Sequence, residues 1–315
     1  MQTTDDPSIL SIGDRFEACI IGGAIGDAWG SSYENYVSPI QPKTFYLHPV
    51  KEPVRIWSLT DDTQLTLASC EALAENPHCR PDALSTYFVK YYHQQRLSGI
   101  GASTLKAIRE LEAGGHWSQV GRSGDYAAGN GAAMRIAPFA FFENYTRDDI
   151  REISRITHRN DEAYAGALAV VLAIRAILNG SWTGTQNLLD IIIQQLPDTN
   201  VRDRMIQIDQ YSGNLTIQDI ARLGVNGYVV NSVPFAIFAA SHSMEIGINS
   251  MFTAIINAGG DTDTNAAIAG QIAGALVGLN GIPSVLRKQL QALPEYEWMR
   301  GIINSTRLQL RNRTL

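Results

Sequence analysis

Apolar residues in this chain recur at helical spacing almost from one end to the other, and that period restricts its fold more than any other feature. Phe16, Ile20, Ala24 and Ala28 fall every four positions, Leu65, Ala68 and Ala72 follow at three and four, and Leu168, Val171, Leu172 and Ile174 share one face of a long segment that begins at Asp161. Apolar/polar alternation over more than five residues is hard to find, which argues against a sheet-based core. The spacing predicts an all-α protein of roughly a dozen helices joined by short loops. Helix ends carry the expected chemistry: Pro81-Asp82 and the run Thr146-Arg147-Asp148-Asp149 open helices, and Asn179-Gly180 closes the long one. No stretch has a linker's composition, so residues 13–315 are expected to form a single compact multi-helix domain after a flexible N-terminus, residues 1–12.

Composition excludes several functions. With apolar residues at 45% and charged ones at 18%, the chain can bury a large core and is not a disordered polyelectrolyte. The 31 acidic against 25 basic residues give a net charge of −6. The basic residues are scattered apart from Arg307, Arg311 and Arg313 at the tail, so a nucleic-acid partner is not expected. Cys19, Cys70 and Cys79 sit at no metal or redox spacing, and an odd number of thiols suits a reducing compartment. Residues 1–10 lack a basic and apolar leader pattern. The most apolar runs, 164–178 and 266–279, are interrupted by Arg175 and Gln271 and fall short of the roughly 20 residues that span a bilayer. A cytoplasmic protein without a membrane partner is the expectation.

The irregular parts carry the chemistry. Residues 35–59 hold four of the twelve prolines and little periodicity, which predicts a long surface or site-lining loop. Residues 99–101 and 121–131 are Gly-rich. Two acidic clusters stand directly before helical runs: Thr60-Asp61-Asp62-Thr63 and Gly259-Gly-Asp-Thr-Asp-Thr264. One such cluster has an ordinary explanation as a helix cap, worth about 1 kcal/mol. Two are harder to explain so, because each offers two carboxylates and two hydroxyls where a cap needs one acceptor. Four carboxylates brought together by folding would repel strongly without cations between them. Every donor is a hard oxygen, so the expected metal is Mg²⁺, or Mn²⁺, rather than Zn²⁺, and two ions a few ångströms apart would be the economical arrangement. After the second cluster, Ala266, Ala267, Ala269, Gly270, Ala273, Gly274 and Ala275 are small on nearly every side, which predicts a central helix closely approached by others.

These residues resemble a known family. Gly22-Gly-Ala-Ile-Gly-Asp-Ala-Trp-Gly30 leading to Glu34, Thr60-Asp-Asp-Thr63, Gly129-Asn-Gly-Ala-Ala-Met-Arg135, Thr157-His158 and Gly259-Gly-Asp-Thr-Asp-Thr264 occur in the order seen in ADP-ribosylglycohydrolases, across residues 13 to 285. The resemblance implies an all-α, mostly monomeric hydrolase with two Mg²⁺ ions, which cleaves the bond between the terminal ribose of ADP-ribose and an acceptor on a protein or small molecule. It also implies site residues. Thr60, Asp61, Asp62, Asp261, Asp263 and Thr264 would be metal ligands, and Glu34 the catalytic acidic residue of a mobile loop. Glu34 or Asp261 would activate the water. Gly129, Asn130 and Gly131 match a loop that cradles the diphosphate through backbone N–H groups, and His158 matches a substrate-contacting histidine. Gly99, Gly101, Ala128 and Met134 lie in the matched substrate-binding segments.

Other residues keep two readings. The glycines of 22–30 lack dinucleotide-fingerprint spacing and instead suit close helix packing, with Asp27 as a partner of the ligands or a simple cap. Trp117 and Tyr126 could stack on adenine or pack, and Arg135 could pair with a phosphate or steady the acidic ligands. His158 alone would read as a hydrogen-bonded structural histidine. Two positions depart from the family. Arginine-specific members carry Asp where this chain has Gly99, and serine-specific members place Ser-Tyr where it has Ala127-Ala128, so neither the arginine mechanism nor the serine-type adenine clamp is carried over and the acceptor stays open. Two rival functions remain: a catalytically silent binding or structural protein, as in the family's lens crystallin, and a two-metal phosphohydrolase. The first is disfavoured by the full ligand set with Glu34, the second by the lack of His ligands and of a basic phosphoryl clamp.

Overall fold

Gly22, Gly26 and Gly30, spaced by one helical turn, decide how the centre of the molecule is built. In the computed structural model, which describes residues 10–34, 56–211 and 215–311, they face a second helix so closely that added Cβ atoms would meet backbone. A Cβ on Gly22 would lie 2.2 Å from the Gly270 carbonyl oxygen, on Gly26 2.1 Å from that of Ala266, and on Gly30 2.5 Å from that of Thr262. The opposing helix answers in kind, since Gly274 would place a Cβ 2.2 Å from the Ala18 carbonyl oxygen. Small residues on both sides thus bring two backbones into contact.

Those two helices are the first, α1 (Ile12–Ser31), and the thirteenth in a series of fifteen among the described residues. After α1 come α2 (Asp61–Glu75), α3 (Pro81–His93), α4 (Ala102–Glu112), α5 (Arg147–Arg155), α6 (Asp161–Leu178), α7 (Leu188–Ile193), α8 (Asn200–Gln210) and α9 (Ile217–Ala221). The rest are α10 (Val229–Ser241), α11 (Ser243–Ile246), α12 (Ile248–Ala258), α13 (Thr262–Gly281), α14 (Ser284–Gln291) and α15 (Tyr296–Arg311). The only strands among the described residues are two-residue pieces, β1 (Arg122–Ser123) and β2 (His158–Arg159), paired in parallel. The fold is all-α, a single domain, as the periodicity predicts. α6 and α10 are buried on nearly every side and pack with α13, while α15 and α2 close the flank of α1.

Helix ends follow the sequence signals. Pro81 occupies the first turn of α3, Thr146 and Asp149 form a reciprocal cap on α5, and α6 stops at Asn179. Ser11 caps α1 in a box with Asp14, so the helix begins inside the segment expected to be a flexible N-terminus, of which residues 1–9 lie outside the described residues. The Pro-rich segment falls mostly outside them too, at 35–55; of its end, Trp57 stacks on Trp29 with ring centroids 5.9 Å apart. Arg307 of the basic tail is tied to Asp14 and Glu17. Among the described residues no single helix is long and apolar enough to cross a membrane; only α13 and α14, bent by 103°, pass by length and composition together, and α13 is the buried centre.

The α1–α13 contact leads to a prediction. Gly26→Val has no flexible side chain to displace, only backbone, so it should cost about 3 kcal/mol or more. A denaturant midpoint equal to wild type would refute this packing role.

Candidate active site

α2 and α13 begin at the same place, so the two acidic clusters, 200 positions apart in sequence, meet in space. The hydroxyls of Thr60 and Thr264, one from each helix start, both lie 3.2 Å from Asp62 Oδ2, that of Thr264 donating to it. Asp27 joins from α1, which the close packing of glycines holds in position. It accepts from the Thr60 N–H at 3.0 Å, the Thr63 N–H at 3.1 Å and the Thr60 hydroxyl at 2.7 Å. Asp27 is therefore the acceptor for the orphan N–H groups of α2, an anchor for the first cluster rather than a separate group.

Two sets of carboxylates have oxygens within 4.8 Å of one another: Asp27, Asp62 and Asp263, and Glu34, Asp261 and Asp263. Asp263 belongs to both. Asp61 belongs to neither; its Oδ2 turns to the Gly101 N–H at 3.4 Å, and its own N–H donates to the Ser98 carbonyl at 2.8 Å. Burial drives the Asp61 carboxyl up to about 8, with Asp27 and Asp261 adding to the rise. Burial and Asp261 push Asp263 up to about 9, and burial with four neighbouring carboxylates holds Asp62 well above the usual range. The cause is plain: carboxylates removed from water beside each other favour the neutral form. Asp62 Oδ1 is buried without a hydrogen-bond partner among the described residues. An orphaned carboxylate oxygen, hard-oxygen donors alone and a shared Asp263 fit divalent cations of the Mg²⁺ or Mn²⁺ type.

This acidic end opens into a cavity of about 700 Å³. Of the predicted site residues, Glu34, Asp61, Asp62, Gly99, Gly101, Gly129, Asn130, Gly131, Met134, His158, Asp261, Asp263 and Thr264 line it. Ala128 is buried behind the Gly-Asn-Gly turn, and Thr60 lies beneath the first cluster. Gly99 has φ +74°, a backbone conformation that favours glycine, and a Cβ there would approach Thr60 and Asp61.

His158 lies directly under the Gly-Asn-Gly turn: Cβ atoms on Gly129 and Gly131 would come within 3.1 and 2.8 Å of its ring. Burial, with Arg135 and Arg122 nearby, lowers its pKa to about 3, so the ring is neutral. Its Nδ1 contacts the Thr157 hydroxyl at 2.9 Å, which also accepts from Arg135 Nη2 at 2.9 Å. Arg135 itself is fully buried against the Phe88 ring, its second bond running to the Ile153 carbonyl. Neither sequence reading of Arg135 holds: it supports the Thr157-His158 pair, and pairs with neither a carboxylate among the described residues nor the cavity.

Tyr126 stands at the rim, 91% exposed, while Trp117 packs against the core and His116 away from the cavity lining. Several lining features went unseen in the sequence, among them Ala102, Ser103 and Thr104 at the start of α4. Arg122, the one Lys or Arg among the lining residues, is placed by the β1–β2 pairing opposite His158. Tyr33 precedes Glu34 at the end of α1. Residues 225–228 staple the two loops together. The Val225 carbonyl accepts from the Asp261 N–H at 2.9 Å, and the Gly227 carbonyl from the Asn130 N–H at 3.1 Å. The Asn226-Gly227 dipeptide before α10 is a turn signal that could have marked this segment.

Comparison with known proteins agrees with this architecture. The family model described as ADP-ribosylglycohydrolase matches residues 8–314. The ADP-ribosylhydrolase ARH3 of Danio rerio is 27% identical over 316 residues, 85% of this chain and 84% of that protein. The Homo sapiens protein of the same name is 25% identical over 335 residues, covering 89% of this chain and 90% of its own. A solved structure described as an ADP-ribosylglycohydrolase-related protein complex superposes with a TM-score of 0.71 at 24% identity, over 95% of this chain and 99% of that one, which establishes a shared fold. With nearly its whole length matched and its motifs gathered at one cavity, the chain belongs to the ADP-ribosylglycohydrolase family.

Proposed function

We propose that this chain is a Mg²⁺-dependent hydrolase that cleaves the glycosidic bond between the terminal ribose of ADP-ribose and an acceptor, reversing ADP-ribosylation. One observation carries the reading: a single cavity is lined both by buried carboxylates from two helix starts and by a glycine turn over a neutral histidine. Such a cavity suits a ligand with a sugar diol at one end and a diphosphate further along.

Asp62, Asp261 and Asp263, with the hydroxyls of Thr60 and Thr264 and with the buried Asp61, would hold two ions. Bound there, the ions supply Lewis acidity that orients the ribose diol and offsets negative charge. Asp27 stays with the α2 N–H groups and keeps Thr60 in place. Glu34 or Asp261, side by side in the second carboxylate group, takes the proton of the attacking water and steadies the oxocarbenium-like charge at the anomeric carbon. Gly129 and Gly131 let backbone approach the diphosphate, His158 contributes a neutral ring, and Arg122 the one cationic side chain. Tyr126 is the adenine platform, since its ring is free at the rim where Trp117 is not.

The acceptor stays open, and an arginine- or serine-linked substrate would be handled by groups other than those of the specific relatives. Gly99 supplies no carboxylate, and the aromatic side chain sits at Tyr126, ahead of Ala127-Ala128. The buried free thiols suit a reducing cytoplasm. A hydrolysis panel over arginine-, serine- and small-molecule-linked ADP-ribose tests the reading. Release of free ADP-ribose from at least one linkage, lost in EDTA, is expected; no release from any of them with Mg²⁺ present would overturn it.

A further inference from the structure

The middle residue of the Gly-Asn-Gly turn does not behave as a phosphate donor. The Asn130 N–H is spent on the Gly227 carbonyl at 3.1 Å, and its own carbonyl accepts from the N–H groups of Ala133 and Met134 at 2.8 and 3.1 Å. Its side chain, buried, turns toward the acidic end, where Nδ2 donates to Asp261 Oδ2 at 2.7 Å. The amide NH₂ is the donor and the carboxylate oxygen the acceptor. Beside the same oxygen stands Gly227, where a Cβ would lie 3.1 Å from Asp261 Oδ2 and 3.9 Å from Asn130 Oδ1. Asp261 Oδ2 is thus held by an amide and lies beside a residue where a Cβ would crowd it.

We infer that Asn130 is a positioning residue for Asp261, and that Asn130 and Gly227 together fix the orientation of this carboxylate within the Glu34, Asp261 and Asp263 group. The inference rests on the metal-centre reading and adds to it a specific cause for the geometry of one of the two carboxylate groups. Outer partners of ligating carboxylates set metal affinity by fixing the ligand before the ion arrives, and their loss typically weakens it about tenfold or more. Two chain segments act on one oxygen, so two variants on separate segments should give one phenotype.

The test is Mn²⁺ titration of the full chain followed by electron paramagnetic resonance, with ADP-ribose binding in EDTA measured alongside. Asn130→Ala and Gly227→Ala should each weaken Mn²⁺ binding about tenfold. In EDTA, Asn130→Ala should bind ADP-ribose as wild type does, which a direct phosphate contact would not allow. Wild-type Mn²⁺ affinity in both variants, or loss of ADP-ribose binding in EDTA with Mn²⁺ affinity intact, would overturn the inference. Failure of the wild-type protein to take up Mn²⁺ would instead overturn the metal-centre reading, and the inference with it.

Discussion

Replacing Asp263 with Asn should abolish hydrolysis while making the metal-free protein more stable. Asp263 is the one side chain common to both carboxylate groups, so its loss removes a donor from each. A fall in turnover of at least about 1,000-fold is expected, the scale on which removal of a group that stabilises the transition state is felt. The rise in stability has a separate cause. Asp62, with Asp263 as its leading carboxylate neighbour, is held far above the usual carboxylate range, and Asp263 is itself pushed up to about 9. A neutral amide of the same shape relieves that repulsion, so the melting temperature in EDTA should rise while the increment from added Mg²⁺ shrinks. Activity assays and melting curves on one preparation separate the two effects. Retained turnover would remove Asp263 from the site, and a lower melting temperature in EDTA would mean that the carboxylate is structurally favourable.

What the sequence made legible divides along physical lines. Helical period and small-residue spacing are local signals, so α1, α6 and α13 can be read directly, and the glycines of α1 are packing residues, as their spacing predicts. The two acidic clusters were legible because each is contiguous and carries more charge than a cap uses. Arg122, Tyr33 and residues 225–228 carry no such excess. Arg122 reaches the cavity only because two residues of β1 pair with β2, a contact between positions 36 apart that no period announces. Asn226-Gly227 is an ordinary turn until tertiary folding places it between Asn130 and Asp261. Asp61 shows the converse limit. Adjacent carboxylates at a helix start point in different directions, so Asp62 joins the shared group and Asp61 turns to Gly101. Adjacency in sequence could not tell them apart.

Without divalent cations, stability should fall as pH rises from 7 to 8.5, and saturating Mg²⁺ should remove or reverse that slope. The folded-state pKa values of Asp61, about 8, and Asp263, about 9, lie above the ordinary value of 3.8, so over this window the unfolded chain holds fewer protons than the folded one. Stability then declines as pH climbs through the raised values, because the folded protein is increasingly forced to carry buried, mutually repelling charges. His158 works in the opposite sense, stabilising the fold as pH rises, but its contribution is complete once pH exceeds its unfolded value of 6.5. From 7 to 8.5 the carboxylates therefore dominate, with the buried thiols of Cys19, Cys70 and Cys79, whose pKa values burial also raises, adding a smaller loss near the upper end. Mg²⁺ inverts the preference, since ionised oxygens are the form that binds, so affinity grows as protons leave. At a concentration of about 100 times Kd the ion adds roughly 2.7 kcal/mol, or about 4 °C for a chain of this size. Melting curves at pH 7 and 8.5, each in EDTA and in Mg²⁺, measure all four corners. A metal-free protein that gains stability across the window would show that these carboxylates are already ionised and paired in the fold. Parallel slopes with and without Mg²⁺ would place the ion away from them.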